Sequence, residues 1–135
     1  MTALAKDRIT PRRSGEDMVD PVAAGAVIHA GALVVLDATG YAAPGSTVLN
    51  LVARGVAQAA VDNSGGADGD KTVAVRRGIH HFANDGVDTV DRTHIGGTAY
   101  IVDDQTVAST DGTGTRSAAG TIIDVDADGV WVDVG

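Results

Sequence analysis

Apolar residues recur along this chain in short runs, and a Gly, Asp or Pro closes each run within a few positions. The last third shows it best. Tyr100-Ile101-Val102-Asp103-Asp104-Gln105-Thr106-Val107-Ala108 is followed by Thr115-Arg116-Ser117-Ala118-Ala119-Gly120, and then by Ile122-Ile123-Asp124-Val125-Asp126-Ala127-Asp128-Gly129-Val130-Trp131-Val132-Asp133-Val134. These runs predict strands over residues 98–102, 106–109, 118–125 and 130–134, the last two joined through the hairpin signal Asp126-Ala127-Asp128-Gly129. Residues 71–76, Lys-Thr-Val-Ala-Val-Arg, alternate with the period of a half-buried strand. Gly78 then predicts a bend or bulge before Ile79-His80-His81-Phe82.

Earlier in the chain, residues 26–36 predict two short strands bent at Gly31. The unbroken apolar stretch 33–36 belongs to a strand covered on both faces. Residues 37–41 and 44–46 are turns, and 62–70, Asp-Asn-Ser-Gly-Gly-Ala-Asp-Gly-Asp, is an exposed loop. Residues 48–61 predict a strand pair interrupted at Gly55, with Ala57, Ala59 and Ala60 supporting helix as the competing reading. By contrast, residues 1–20 are polar, charged and aperiodic. They predict an extended arm with turns at Thr10-Pro11 and Ser14-Gly15, and Asp20-Pro21 marks entry into a single domain over 21–135. The expected fold class is all-β: a compact β-barrel or β-sandwich with an extended N-terminal arm.

Composition sharpens this picture. Aromatics are 3% of residues, so the core must be built from Val, Ile, Leu and Ala. Eighteen Gly without a three-residue period fit many tight turns rather than a collagen-like chain. With no Cys, neither a disulfide framework nor a thiolate metal site can form. No apolar run approaches the roughly 20 residues that span a bilayer, and the basic N-terminus lacks the apolar stretch of a secretion signal. Charge is divided unevenly. Residues 1–13 hold four bases (Lys6, Arg8, Arg12, Arg13) against Asp7, giving +3, whereas the remainder carries 6 bases and 17 acids, giving −11. An acidic body repels nucleic acid. Two readings of the arm stay open: a strap for an acidic protein surface, or a disordered tail.

Catalytic and metal chemistry finds little support. Asp124-Val125-Asp126-Ala127-Asp128-Gly129 matches the opening of a calcium-binding loop, but position 12, which needs a bidentate Glu, falls on Gly135, and the flanks are β-type. An acidic hairpin turn is the better reading. His80 and His81 are adjacent, so on a strand they point to opposite faces and cannot share an ion without a bulge; one buried and one exposed histidine is expected. His29 and His94 are distant. There is no nucleophile elbow or phosphate-binding glycine pattern, and Gly112-Thr113-Gly114 lacks a following helix. Nearly all Asp residues fall in turns, where solvent keeps them ionised. Arg76-Arg77 reads as a solvated strand edge.

Several separated segments, in one order, resemble the small capsid cement or head decoration proteins of tailed bacteriophages. They are Thr10-Pro11-Arg12-Arg13-Ser14-Gly15, Pro21-Val22-Ala23-Ala24-Gly25, Val61-Asp62-Asn63-Ser64-Gly65-Gly66, Lys71-Thr72-Val73-Ala74-Val75-Arg76-Arg77-Gly78, Asp103-Asp104-Gln105-Thr106-Val107-Ala108 and Val125-Asp126-Ala127-Asp128-Gly129-Val130-Trp131-Val132. The resemblance runs from about Thr10 to the end. It implies a β-rich, non-enzymatic, cofactor-free virion protein, assembled in the host cytoplasm on the capsid exterior. There it would lock neighbouring major capsid protein subunits, acting as a homo-oligomer with a trimer favoured. Neither nucleic acid nor membrane is an implied partner. Lys6, Arg8, Thr10, Pro11, Arg12 and Arg13 become the candidate capsid contacts; no catalytic, cofactor-binding or metal residue is expected. Ile79-His80-His81-Phe82 stands where relatives are expected to be aromatic-rich, which leaves the pairing partner of that strand open. Two other readings compete. One is a virion-surface module attaching to host or glycan through acidic loops, with Trp131 and Tyr100 as stacking platforms. The other is a small calcium- or metal-dependent enzyme.

Overall fold

The computed structural model describes residues 2–13 and 15–135; Met1, at the head of the expected arm, and Ser14, half of the expected Ser14-Gly15 turn, lie outside the described residues. Twelve strands follow one another: β1 (Asp17–Pro21), β2 (Val27–Ile28), β3 (Leu33–Leu36), β4 (Ala42–Pro44), β5 (Val52–Ala57), β6 (Val61–Asp62), β7 (Thr72–Arg76), β8 (Gly78–Asn84), β9 (Thr98–Ile101), β10 (Thr106–Ala108), β11 (Ala118–Val125) and β12 (Val130–Val134). Among the described residues the only helical element is a 3₁₀ turn at Arg92–His94. The fold is all-β, as the turn-punctuated apolar runs require.

Strands divide between two bodies. A five-stranded sheet runs β1-β7-β5-β3-β4, and a closed five-stranded barrel runs β10-β8-β12-β11-β9. Beside the first sheet, β2 pairs with β6. The chain passes from sheet to barrel at Arg77-Gly78, where Gly78 takes φ 118°. An L-residue with a β-carbon resists that angle, so the bend expected there is backbone chemistry specific to glycine. The partner of Ile79-His80-His81-Phe82, open from sequence, is β12 in antiparallel register from Gly78↔Val134 to Phe82↔Val130, while β10 pairs in parallel with the following Ala83 and Asn84.

Alternation places the core. In β7 and β12 every second residue is buried: Val73 and Val75 in one, Val130, Val132 and Val134 in the other. The unbroken run of β3 behaves differently. Leu33 and Val35 enter the core shared with Phe82, Ile101, Val107, Ile122 and the β12 valines, whereas Val34 joins Val22, Ile28, Ala42, Val73 and Val75 on the opposite side. One strand thus has a side in each of two cores, which is why it carries no polar residue.

Two expectations are corrected here. Residues 48–61 do not break at Gly55. Gly55 lies inside β5, and a β-carbon on it would come 2.3 Å from the Arg76 carbonyl oxygen, so glycine is there to let β7 approach rather than to end the strand. Opposite it, the register shifts between Val34↔Gly55 and Val35↔Ala53, leaving Arg54 as the extra residue of a bulge. The expected arm is also shorter than residues 1–20, because β1 starts at Asp17 and pairs with β7 over its whole length. Asp20 points inward and holds Arg54 of β5 in a two-point ion pair, at 2.8 Å each. Its charge had marked it for solvent; the bulge at Arg54 supplies the buried partner it needs.

Candidate functional site

Each candidate contact residue lies in the segment 2–13, which the chain emits just before β1. Lys6, Arg8, Thr10, Pro11, Arg12 and Arg13 are all exposed and lie in no strand or helix. Among the described residues none of the four bases enters an ion pair, whereas Arg54, Arg76, Arg92 and Arg116 of the body each meet an aspartate. Two apolar residues are interleaved with them, Leu4 at 74% exposure and Ile9 at 98%. Arg13 lines a shallow groove with Asp17, Val19, Gln58, Ala74 and Arg76 of the five-stranded sheet and its margin. The structure gathers the six candidates on one stretch of chain but brings none of them to a common point on the body.

The hairpin between β11 and β12 organises the most elaborate surface on the barrel. Trp131 and His81 are cross-strand partners on the outer face, because the residues on either side of each in the register, Val130, Val132 and Phe82, fill the interior. Their rings stand 4.9 Å apart at 60°. Asp126 fixes both: the Trp131 indole N–H donates to Oδ2 at 2.9 Å, and His81 Nε2 lies 3.2 Å from Oδ1. The same carboxylate accepts the backbone N–H groups of Asp128 and Gly129 at 2.9 Å each. The indole, the Asp128 amide and His81 together hold its pKa down at about 2. Gly129 is needed for this pairing, since a β-carbon would fall 2.2 Å from the Phe82 carbonyl oxygen and 2.8 Å from the His81 ring.

The acidic hairpin turn is therefore present, with two of its carboxylates engaged: Asp126 by the two rings, and Asp124 by Arg92 of the 3₁₀ turn at 3.1 Å. The expectation of one buried histidine is corrected. His80 is half-buried at the open end of the barrel beside the Arg76 carbonyl, and His81 is exposed. They do occupy opposite faces, as adjacent strand residues must. Tyr100 and Trp131 do not form one platform. Tyr100 faces Ala118 at the start of β11, while Trp131 faces Asp124 near its other end.

Sequence reasoning missed a second aspartate cluster. Asp88 accepts from the hydroxyls of Ser109 and Thr110 and from Arg116 Nη1 at 2.8 Å. Those hydroxyls, with Arg116 and the Thr110 amide behind them, hold its carboxyl at a pKa of about 2. The cluster ties loop 85–91 to loop 109–116, in which Gly112, Thr113 and Gly114 all take positive φ. Asp88 and Arg116 are 28 positions apart, and no local spacing announces their meeting. Arg76-Arg77 is no strand edge: β7 lies between β1 and β5, Arg76 pairs with Asp17 at 2.8 Å, and Arg77 reaches the Gly135 carbonyl at 2.6 Å. No group of three or more His, Asp or Glu able to hold a metal stands among the described residues. No family model, curated protein or solved structure matches the chain.

Proposed function

We propose that this chain is a structural decoration protein that binds the exterior of a mature phage head and braces contacts between major capsid subunits. What carries the reading is the division of one chain into a doubly cored β body of charge −11 and a wholly exposed leading segment of charge +3. A body of this kind is rigid enough to act as a wedge, while the segment holds four cations with no partner of their own among the described residues. The order of the resembling segments supports the same reading.

The energetics suit a protein bound in bulk. Ordering the segment costs on the order of 1–2 kcal/mol per residue, so each docked copy gains only the surplus of its contacts. Many weak copies on one shell still act together. Because the protein would bind the expanded shell and not its dissociated subunits, it would stabilise the shell by mass action. In this reading Lys6, Arg8, Thr10, Pro11, Arg12 and Arg13 are contact residues, the assembly on the shell is a homo-oligomer with a trimer favoured, and no residue has a catalytic role.

The test is co-sedimentation with heads of the phage that encodes the chain, in expanded and unexpanded form. Full-length protein is expected to pellet with expanded heads only, and a variant lacking residues 2–13 to show reduced occupancy. Equal recovery in the supernatant with both head forms, or virions that lack the protein, would end this account.

A further inference from the structure

We propose that the outer face of β8, β12 and β11, centred on Trp131, is a docking face for the basic N-terminal segment, residues 4–13, of a second copy of this chain. The inference goes beyond shell decoration and concerns copies off the shell: the same bases are the shell contacts proposed above, so the two dockings exclude each other in any one copy.

The face has a definite chemistry. Across the three strands run His81, Trp131 and Asp124, and below them Ile79, Asp133 and Thr121. The register shift between Ile122 and Asp124 puts Ile123 at the margin, 40% exposed. Apolar surface from Ile79, Trp131 and Ile123 is thus framed by the carboxylates of Asp124, Asp126, Asp128 and Asp133. Arg92, paired with Asp124, is the one cation these contacts bring to it. Trp131 is 38% exposed, yet its indole plane cannot turn away, since Asp126 holds the ring nitrogen and His81 stands against it. A fixed indole face ringed by carboxylates is a receptor for a guanidinium, which stacks on the ring and pairs at its edges. Apolar side chains beside that cation would cover Ile79 and Ile123.

Residues 4–13 match this description in both respects. Lys6, Arg8, Arg12 and Arg13 supply cations without partners among the described residues, and Leu4 and Ile9 supply apolar side chains that the body leaves uncovered. Extended, the ten residues reach about 30 Å, enough to lay both ends across a three-strand face. A second copy supplies the segment in this arrangement, because a chain's own segment joins the body beside the five-stranded sheet, where Arg13 shares a groove with Val19, Gln58 and Ala74. Charge complementarity between the +3 segment and the acidic face favours the docked contact locally, against the net repulsion of two copies of charge −8 each.

Trp131 is the chain's single tryptophan, so its fluorescence reports this face alone. The experiment combines sedimentation velocity with Trp131 emission on the full chain, without heads, over a dilution series at about 50 and about 500 mM salt. The full chain is expected to self-associate at low salt, with an emission shift that follows concentration and weakens about tenfold or more at high salt. The Arg12→Glu/Arg13→Glu variant should lose association, as should Asp128→Lys/Asp133→Lys, two aspartates whose side chains make no hydrogen bond among the described residues. Mixing these two charge-reversed variants should restore a heterologous complex. Three results would overturn the proposal: a monomer whose emission ignores loss of residues 2–13; association that survives that deletion; or an emission change on deletion that is independent of concentration, which would assign the face to the chain's own segment.

Discussion

At Asp88 one carboxylate joins loop 85–91 to loop 109–116, and its energetics can be read from its partners. Its pKa of about 2 lies below the ordinary aspartate value of 3.8, so the folded state prefers it ionised. The sign follows directly. This contribution is fully present above about pH 4 and is lost as pH falls through 2. Replacing Asp88 by Asn leaves the Arg116 guanidinium, whose Nε is already buried without a hydrogen-bond partner, facing a neutral amide. Urea unfolding at pH 7 is expected to show a loss of about 2 kcal/mol, with the gap to the parent chain narrowing as pH approaches 2. A gap that does not change with pH would mean that the carboxylate's charge is not what stabilises the loops. Asn63 makes a related point about what composition hides. It sits in a loop whose Gly and Asp content spells exposure, yet it is 1% exposed, and its amide donates to the carbonyls of Ala23 and Ala67 at 2.9 and 3.1 Å. The loop is where the sequence placed it; the buried plug inside was not visible, because a side chain that caps carbonyls 40 residues away leaves no local pattern.

At the scale of elements, legibility tracked locality. The strands at 118–125 and 130–134 appear with the bounds their alternation predicts, and the 126–129 turn follows from its Asp and Gly. Gly55 misled because a glycine that permits close approach looks the same in sequence as one that breaks a strand. Asp17–Pro21 was hidden for a different reason: Met18 and Asp20 face inward, but a buried acid reads as solvent until Arg54 is known to lie across the sheet. The element boundary can be tested by truncation. Removing residues 2–13 takes away no strand and no ion pair, so the unfolding midpoint should shift by no more than about 0.5 kcal/mol in stability. Extending the cut through residue 20 deletes β1 and strands Arg54, 25% exposed, without its carboxylate. Chemical denaturation should then show a loss of about 3 kcal/mol or more. Similar stabilities for the two truncations would mean that β1 contributes nothing to the body. Of the candidate site, the sequence showed the exposed basic segment and the acidic hairpin, but not the clasp of Trp131 and His81 by Asp126, which depends on the register that sets Trp131 of β12 against His81 of β8.

For the whole molecule, the important fact is where the chain is divided. The strands from Asp17 to Arg76 build the five-stranded sheet and the small β2–β6 pair, and those from Gly78 onward build the barrel. Each body is continuous in sequence, which ordinarily permits independent folding. β3 forbids it here: Leu33 and Val35 complete the core that holds the barrel valines, while Val34, from the same strand, completes the other. A peptide comprising residues 78–135 would therefore face water with the seat that Leu33 and Val35 fill, and one comprising 15–77 would expose those two residues themselves. Circular dichroism should find each fragment largely unfolded when alone. Mixed in equal amounts, they should recover the β signature and bind as tightly as a cut protein that has only lost its hinge. A severed Arg77–Gly78 bond would thus leave a molecule in two pieces that still behaves as one, held shut by the side chains of Leu33 and Val35.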